Sequence, residues 1–162
     1  MRRESSAVQR EIGQRRPFSS SEQEGVVGLL RTADLLRRRL ARIVEPDGIT
    51  LQQFNVLRIL RGAGEAGLPT LDIAARMVER APGITRLMDR LEAKGLVGRR
   101  RCREDRRQVL CWITHEGLTL LAKLDGPMRK GDATALGGLP RKDVDHLIRL
   151  LDAVRTGQRP RN

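Results

Sequence analysis

The sequence predicts a mostly α-helical protein with one small β-hairpin, arranged as a winged helix-turn-helix between N- and C-terminal helices. Six segments carry apolar residues at helical spacing, and two short alternating segments follow the fourth of them. The turn between those two, residues 99–107, has six arginines against Glu104 and Asp105, a net charge of +4. Such a charge on a hairpin tip is typical of a surface that grips polyphosphate.

Composition restricts the possible partners. A net charge of +12 in 162 residues indicates an anionic partner, with nucleic acid ahead of a lipid surface. No apolar run approaches the ~20 residues of a membrane span, and polar residues follow the N-terminus, so a cytoplasmic protein without membrane contact is expected. Phe18, Phe54 and Trp112 are the only aromatic residues. Single-stranded nucleic acid is bound on several stacked rings, so that class of binder is unlikely.

The N-terminal region divides into an arm and a helix. Residues 1–20 are arginine-rich with little apolar periodicity, which predicts a flexible basic arm, and residues 157–162 are expected to form a flexible tail. Residues 21–46 predict a long amphipathic helix that begins with a capping box of Ser21 and Glu24. The helix should end at the break formed by Pro46, Asp47 and Gly48.

A winged helix-turn-helix is predicted for residues 47–113. Its first helix begins with a capping box of Thr50 and Gln53 and runs to about Arg61. A Gly- and Ala-rich loop, residues 62–69, then leads to a second helix capped by Thr70. The side of this helix expected to be buried carries Ile73, Ala74, Met77 and Val78.

The next helix is the predicted recognition helix. Pro82 suits its first position and Gly95 the residue after its end, and Ile84, Leu87, Met88 and Leu91 form its core face. The opposite face carries Asp89 and the candidate DNA contacts, with Gly83 near the N-terminus: Gly83, Thr85, Arg86 and Arg90. Alone, such a helix would be better explained as a solvated charged face. The adjacent arginine hairpin favours DNA.

The hairpin forms the predicted wing. Leu96 and Val97 begin one strand, and in the returning strand Val109, Cys111 and Ile113 alternate with Leu110 and Trp112. The candidate contacts to DNA in the wing are Arg99, Arg101, Arg103, Arg106 and Arg107. A solvated surface loop is the alternative, but closely packed like charges repel one another, and a polyanion would relieve that cost.

The C-terminal region, residues 114–156, predicts two further amphipathic helices. Thr114 caps the first, which carries Leu118, Leu121 and Ala122 and should kink or break near Gly126 and Pro127. The second has an apolar stripe formed by Val144, Leu147, Ile148, Leu151 and Val154. A small helix-turn-helix core cannot cover these faces together with that of residues 21–46. Pairing with a second chain, to form a homodimer, is therefore expected.

Three motifs in order resemble the MarR family of bacterial transcription regulators. They are the run ITRLMDRLEAKGLVGR at residues 84–99, then Asp105, Arg106 and Arg107, then residues 113–117, ITHEG. The resemblance covers roughly residues 24–156. It implies a homodimer that binds a near-palindromic operator and that a small ligand or an oxidant releases from DNA, commonly as a repressor. It also implies that Arg107 enters the minor groove, that Asp105 supports Arg107, and that Arg106 contacts phosphate.

The sequence offers candidates for two kinds of controlling signal, a small ligand and an oxidant. Ligands in the family bind between the dimer helices and the DNA-binding unit, where Phe54, Met77 or Trp112 could line a site, although each is also explained as core. Cys102, among arginines, is a redox candidate, but an incidental thiol is the simpler reading, and a disulfide with Cys111 would be strained by the hairpin register.

The remaining function classes have little support in the sequence. With two histidines, no phosphate-binding glycine loop and no nucleophile triad, neither catalysis, a metal site nor a cofactor is expected. The alternative function is a basic architectural protein that coats nucleic acid without sequence preference. Competition between specific and bulk DNA would distinguish the two functions.

Overall fold

The computed structural model describes residues 6–79, 83–102 and 108–157, and this part of the chain is mostly helical, as predicted. The helices are α1 (Ala7–Glu11), α2 (Ser21–Val44), α3 (Leu51–Ala63), α4 (Thr70–Arg76), α5 (Ile84–Ala93), α6 (His115–Leu136) and α7 (Arg141–Gly157). The strands are β1 (Leu68–Pro69), β2 (Val97–Arg101) and β3 (Val109–Ile113). Two 3-10 turns, Glu45–Asp47 and Gly64–Ala66, follow α2 and α3.

The three strands form an antiparallel sheet in the order β1-β3-β2. In the hairpin, Val97 lies opposite Ile113 and Arg101 lies opposite Val109. Strand β1 was not predicted, because residues 62–69 were expected to form a loop. Gly67 allows it to approach β3, because a Cβ there would lie 2.5 Å from the Cys111 carbonyl oxygen.

Helix α3 lies at the centre of the core, and its first turn confirms the predicted capping box. The Gln53 backbone N–H donates to Thr50 Oγ1 at 3.2 Å, and the Thr50 backbone N–H donates to Gln53 Oε1 at 2.9 Å. The core combines side chains of α3 with others from α4, α5, β3 and α6, all fully or almost fully buried: Phe54, Val56, Leu57, Leu60, Ile73, Met88, Leu91, Cys111, Leu121 and Leu124. The recognition helix and the wing are therefore fixed to one shared core.

Part of the predicted flexible arm, residues 1–20, is folded, because it contains helix α1. Ser6 caps α1 by accepting a hydrogen bond from the Gln9 backbone N–H. Gln9 is buried, and its side-chain amide donates to the carbonyl oxygens of Gln14 and Arg16, which folds the following segment back over α1. Helix α1 also contacts α2. Hydrogen bonds from a buried amide, invisible to apolar periodicity, order this segment.

Two predicted helix starts are wrong. The N-cap of α2 is Ser20, whose hydroxyl accepts from the Gln23 backbone N–H at 3.2 Å, in place of the predicted capping box of Ser21 and Glu24. Thr70 is the first residue of α4 and not its cap, because Pro69 holds the N-cap position.

Two further expectations differ from the structure. Helix α6 runs through Pro127 without a break, because Leu121, Leu124 and Met128 anchor it in the core on both sides, while Pro127 itself is exposed. The prediction that Val78 lies on the buried side of the second helix-turn-helix helix is wrong, since Val78 is 85% exposed. Helix α4 ends at Arg76, and the extended backbone of Met77 turns Val78 outward.

Candidate nucleic-acid interface

Helix α5 separates its two faces as the sequence predicts. Met88 and Leu91 are fully buried, whereas Thr85, Arg86 and Arg90 are exposed. Arg86 and Arg90 are four residues apart and project from one side of the helix, one turn from each other. Gly83 is the N-cap residue, and its carbonyl accepts the first helical hydrogen bond, from Leu87, at 3.2 Å. Pro82 lies outside the described residues.

The wing extends beyond the regular strands toward the arginine-rich tip. The Cys102 backbone N–H donates to the Gln108 carbonyl at 2.9 Å, which continues the ladder past Arg101. Arg101 is exposed, and no ion pair is found for it within the described part of the chain. The predicted contacts at the tip lie outside the described residues: Arg103, Arg106 and Arg107, together with Asp105.

Arg99 is held against the recognition helix. Its Nη1 lies 2.7 Å from Asp89 Oδ1, its Nε donates to Glu92 Oε2 at 2.9 Å, and its Nη2 also pairs with Glu92. The hydrogen bonds to Glu92 and then Asp89 raise the pKa of Arg99, and the bond to Arg99 lowers the pKa of Glu92. The side chain of Arg99 is only 22% exposed. Sequence reasoning counted Arg99 as one more positive charge and missed this bridge.

Trp112 lies on the other face of the hairpin. It is paired across the strands with Gly98, and a Cβ on Gly98 would lie 2.5 Å from its ring. The Arg100 guanidinium lies 5.5 Å from the ring centroid, a cation–π distance. The sole tryptophan of the chain is thus built into the wing.

A separate cavity of about 350 Å³ lies between α2, α3, α6 and the segment after α4. Phe54 and Met77, two of the three candidate ligand contacts, line it, whereas Trp112 does not. Its charged lining is mixed, with Arg37, Arg58, Glu79 and Asp132. Arg37 of α2 pairs with Glu79, which follows α4, so this ion pair joins the two sides of the cavity.

The cysteines lie at different levels of the hairpin. Cys111 is opposite Arg99, and Cys102 is beside Gln108, so the register separates them as expected and both are free thiols. Burial raises the pKa of Cys111, which disfavours its thiolate, and its sulfur lies 3.5 Å from Thr70 Oγ1. Cys102 is partly exposed, and its redox role stays a prediction.

Comparison with known proteins identifies the family. The MarR family profile matches residues 49–109. A MarR transcription factor from Planctomyces limnophilus is 40% identical, with a TM-score of 0.66, over 85% of this chain and 99% of that chain. The chain belongs to the MarR family.

Several similar structures contain DNA. The MepR–DNA complex of S. aureus is 21% identical, with a TM-score of 0.74, over 87% of this chain and 99% of that one. A mutant E. coli MarR complexed with operator DNA is 26% identical, with a TM-score of 0.71, over 78% of this chain and 89% of that one. MarR proteins are transcription regulators, not a family of enzymes, and they function as DNA-binding dimers. Membership of this family agrees with the predicted partners, duplex DNA and a second copy of the chain.

Apolar side chains remain exposed on the helices predicted to form the MarR dimer. On α2 and α7 they are between 41% and 66% exposed: Val26, Leu29, Leu30, Leu35, Ile148, Leu150 and Val154. Val26 and Leu30 are one turn apart on α2, which makes a continuous apolar strip. This exposure agrees with the prediction, made from periodicity, that a second subunit covers the terminal helices.

Within the same described residues, no helix is long and apolar enough to cross a membrane. No cluster of three or more His, Cys, Asp or Glu side chains that could hold a metal ion is found in that part of the chain either.

Proposed function

We propose that the protein is a sequence-specific regulator that binds a near-palindromic operator as a homodimer, with α5 of each subunit in a major groove. The observation that carries this proposal is the exposed face of Thr85, Arg86 and Arg90, beside a hairpin whose first strand is fastened to the same helix. Arginine at such a position can bind guanine through two hydrogen bonds or can bind phosphate.

The wing supplies the second contact to each half-site. Arg101 is exposed on the way to the tip. By the motif shared with the family, Arg107 would enter the minor groove with support from Asp105, and Arg106 would contact phosphate. The charge of Arg103 would add to the attraction for the DNA backbone. Helix and wing together would contact adjacent grooves, which gives both position along the duplex and sequence preference.

We further propose that a small molecule controls the regulator, which acts as a repressor in the cytoplasm. The cavity supports this, because it touches the dimer helices on one side and the helix-turn-helix on the other. Glu79 lines it four residues before Gly83, the N-cap of α5. A ligand that separates Glu79 from Arg37 would loosen the link between α2 and the segment leading into the recognition helix.

Competition binding tests the proposal. Labelled DNA from the region flanking the gene of this protein is challenged with unlabelled copies of itself and with bulk DNA. A regulator should prefer its own fragment by ~10³-fold or more. An architectural protein would show no such preference, and equal competition by both DNAs would refute sequence-specific regulation.

Filling the cavity tests the ligand site. Ala41 lines the cavity, so Ala41→Phe should reduce its volume. An apolar fluorescent anion such as anilinonaphthalene sulfonate should bind the wild type and lose affinity for this variant. Ala66→Phe, at an exposed position in the 3-10 turn Gly64–Ala66 and away from the lining, is the control. Equal dye binding by all three folded proteins would contradict a ligand site here.

A further inference from the structure

Every nitrogen of the Arg99 guanidinium is engaged by a carboxylate of the recognition helix. Nη1 pairs with Asp89, and Nε and Nη2 pair with Glu92. The two carboxylates belong to one face of α5, three residues apart, and Arg99 lies on the neighbouring strand of the wing. With 22% of its side chain exposed, Arg99 has little surface left for a phosphate.

The negative charges of the two carboxylates would oppose DNA binding, and Arg99 reduces this effect. Asp89 is adjacent to Arg90 and three residues after Arg86, on the side of α5 that carries the candidate contacts. Asp89 is 53% exposed and Glu92 is 42% exposed at the side chain. Unpaired carboxylates beside a polyanion would repel it. Arg99 supplies one positive charge against these two negative charges, and at the same time it joins the wing to the helix.

We propose that Arg99 is a positioning residue: it sets the wing against the recognition helix and offsets part of the negative charge of Asp89 and Glu92, without contacting DNA itself. The inference rests on the proposed operator binding. It departs from the expectation that Arg99 is one of the wing's DNA contacts. Because the bridge is partly exposed to solvent, its net contribution to folding is small. Breaking the bridge should therefore affect DNA recognition more than folding stability, because the helix and the wing must fit two grooves at once.

The two roles for Arg99 predict opposite results when its partners are changed. The double variant Asp89→Asn, Glu92→Gln removes two negative charges near DNA and retains every arginine. If Arg99 only contacts phosphate, binding to operator and to non-operator DNA should tighten together. If Arg99 positions the wing, non-operator binding stays equal or tightens while the preference for operator over non-operator DNA falls, by ~10-fold for a wing contact of ordinary strength.

The experiment measures both affinities by fluorescence anisotropy at several salt concentrations. The control variant, Asp143→Asn with Asp145→Asn on α7, makes the same charge change away from α5 and should keep the wild-type preference. Arg99→Gln should also lower the preference for operator over non-operator DNA, whereas loss of a simple phosphate contact would weaken binding to both DNAs by the same factor. The thermal midpoint should be nearly unchanged in each variant.

An unchanged operator preference in the Asp89→Asn, Glu92→Gln variant would overturn the inference, and so would an equal loss of affinity for operator and non-operator DNA in Arg99→Gln. If Arg99→Gln does not fold, the double variant still decides, because it alters only exposed carboxylates. A wild-type protein without any operator preference would instead refute the proposed function, and this inference with it.

Discussion

Leu30 gives the sharpest test of the dimer surface. It lies on α2 and exposes 66% of its surface in the single chain, although it is a large apolar side chain. If the partner subunit covers it, Leu30→Ala removes about two-thirds of the burial energy of a leucine, ~1–2 kcal/mol per subunit. Because two-fold symmetry repeats the contact, the loss amounts to ~2–4 kcal/mol for the dimer. The dissociation constant of the dimer should therefore rise roughly 30- to 700-fold.

Sedimentation over a dilution series measures that dissociation, with the same moderate urea concentration in all samples if the wild type stays dimeric throughout. Leu71→Ala is the matched control, because Leu71 is 79% exposed but lies on α4 of the helix-turn-helix. It should dissociate like the wild type. The reasoning is refuted if Leu30→Ala dissociates like the wild type as well, or if Leu71→Ala weakens the dimer equally.

Three further predictions concern the wing and the link between α3 and α6. Arg107→Ala should weaken operator binding by ~1–3 kcal/mol and reduce the salt slope by about one, and a folded variant with unchanged affinity would remove this arginine from the interface. Gly98→Ala should displace the Trp112 ring at a cost of ~1–3 kcal/mol, seen as a changed tryptophan emission spectrum and a lower unfolding midpoint; an unaltered spectrum would contradict the contact. Arg61 binds Asp125 through two hydrogen bonds, of 2.7 and 3.0 Å, and lowers the pKa of that carboxyl. A lowered folded-state pKa stabilises the protein above the ordinary aspartate value of ~3.9, and this contribution is lost as pH falls through the lowered value. For a pair this exposed it amounts to ~1 kcal/mol or less, so Asp125→Asn should lower the thermal midpoint slightly near pH 6 and by less near pH 3; a constant difference would argue against the ion pair.

Local patterns in the sequence predict the elements that build the interface. The capping box of Thr50 and Gln53 and the apolar spacing of α5 depend on residues within one or two turns, and both are found in the structure. The exposed face of Arg86 and Arg90 follows from the same periodicity.

Contacts between distant residues account for what the sequence did not predict. β1 forms only because Gly67 can approach β3, and α1 is ordered by the buried amide of Gln9. Arg99 was read as a DNA contact from composition alone, whereas its partners Asp89 and Glu92 become visible only when the hairpin lies against α5. Spacing on a helix shows which residues share a face, but not which neighbouring strand will meet that face.

Hydroxyl-radical footprinting on DNA flanking the gene of this protein tests most directly whether two copies of α5 bind one operator. We expect a discrete protected near-palindrome whose half-site centres lie about one helical turn, ~34 Å, apart, since two-fold symmetry fixes the spacing of the recognition helices. Uniform, weak protection along the whole fragment, with no preferred segment at any protein concentration, would contradict it.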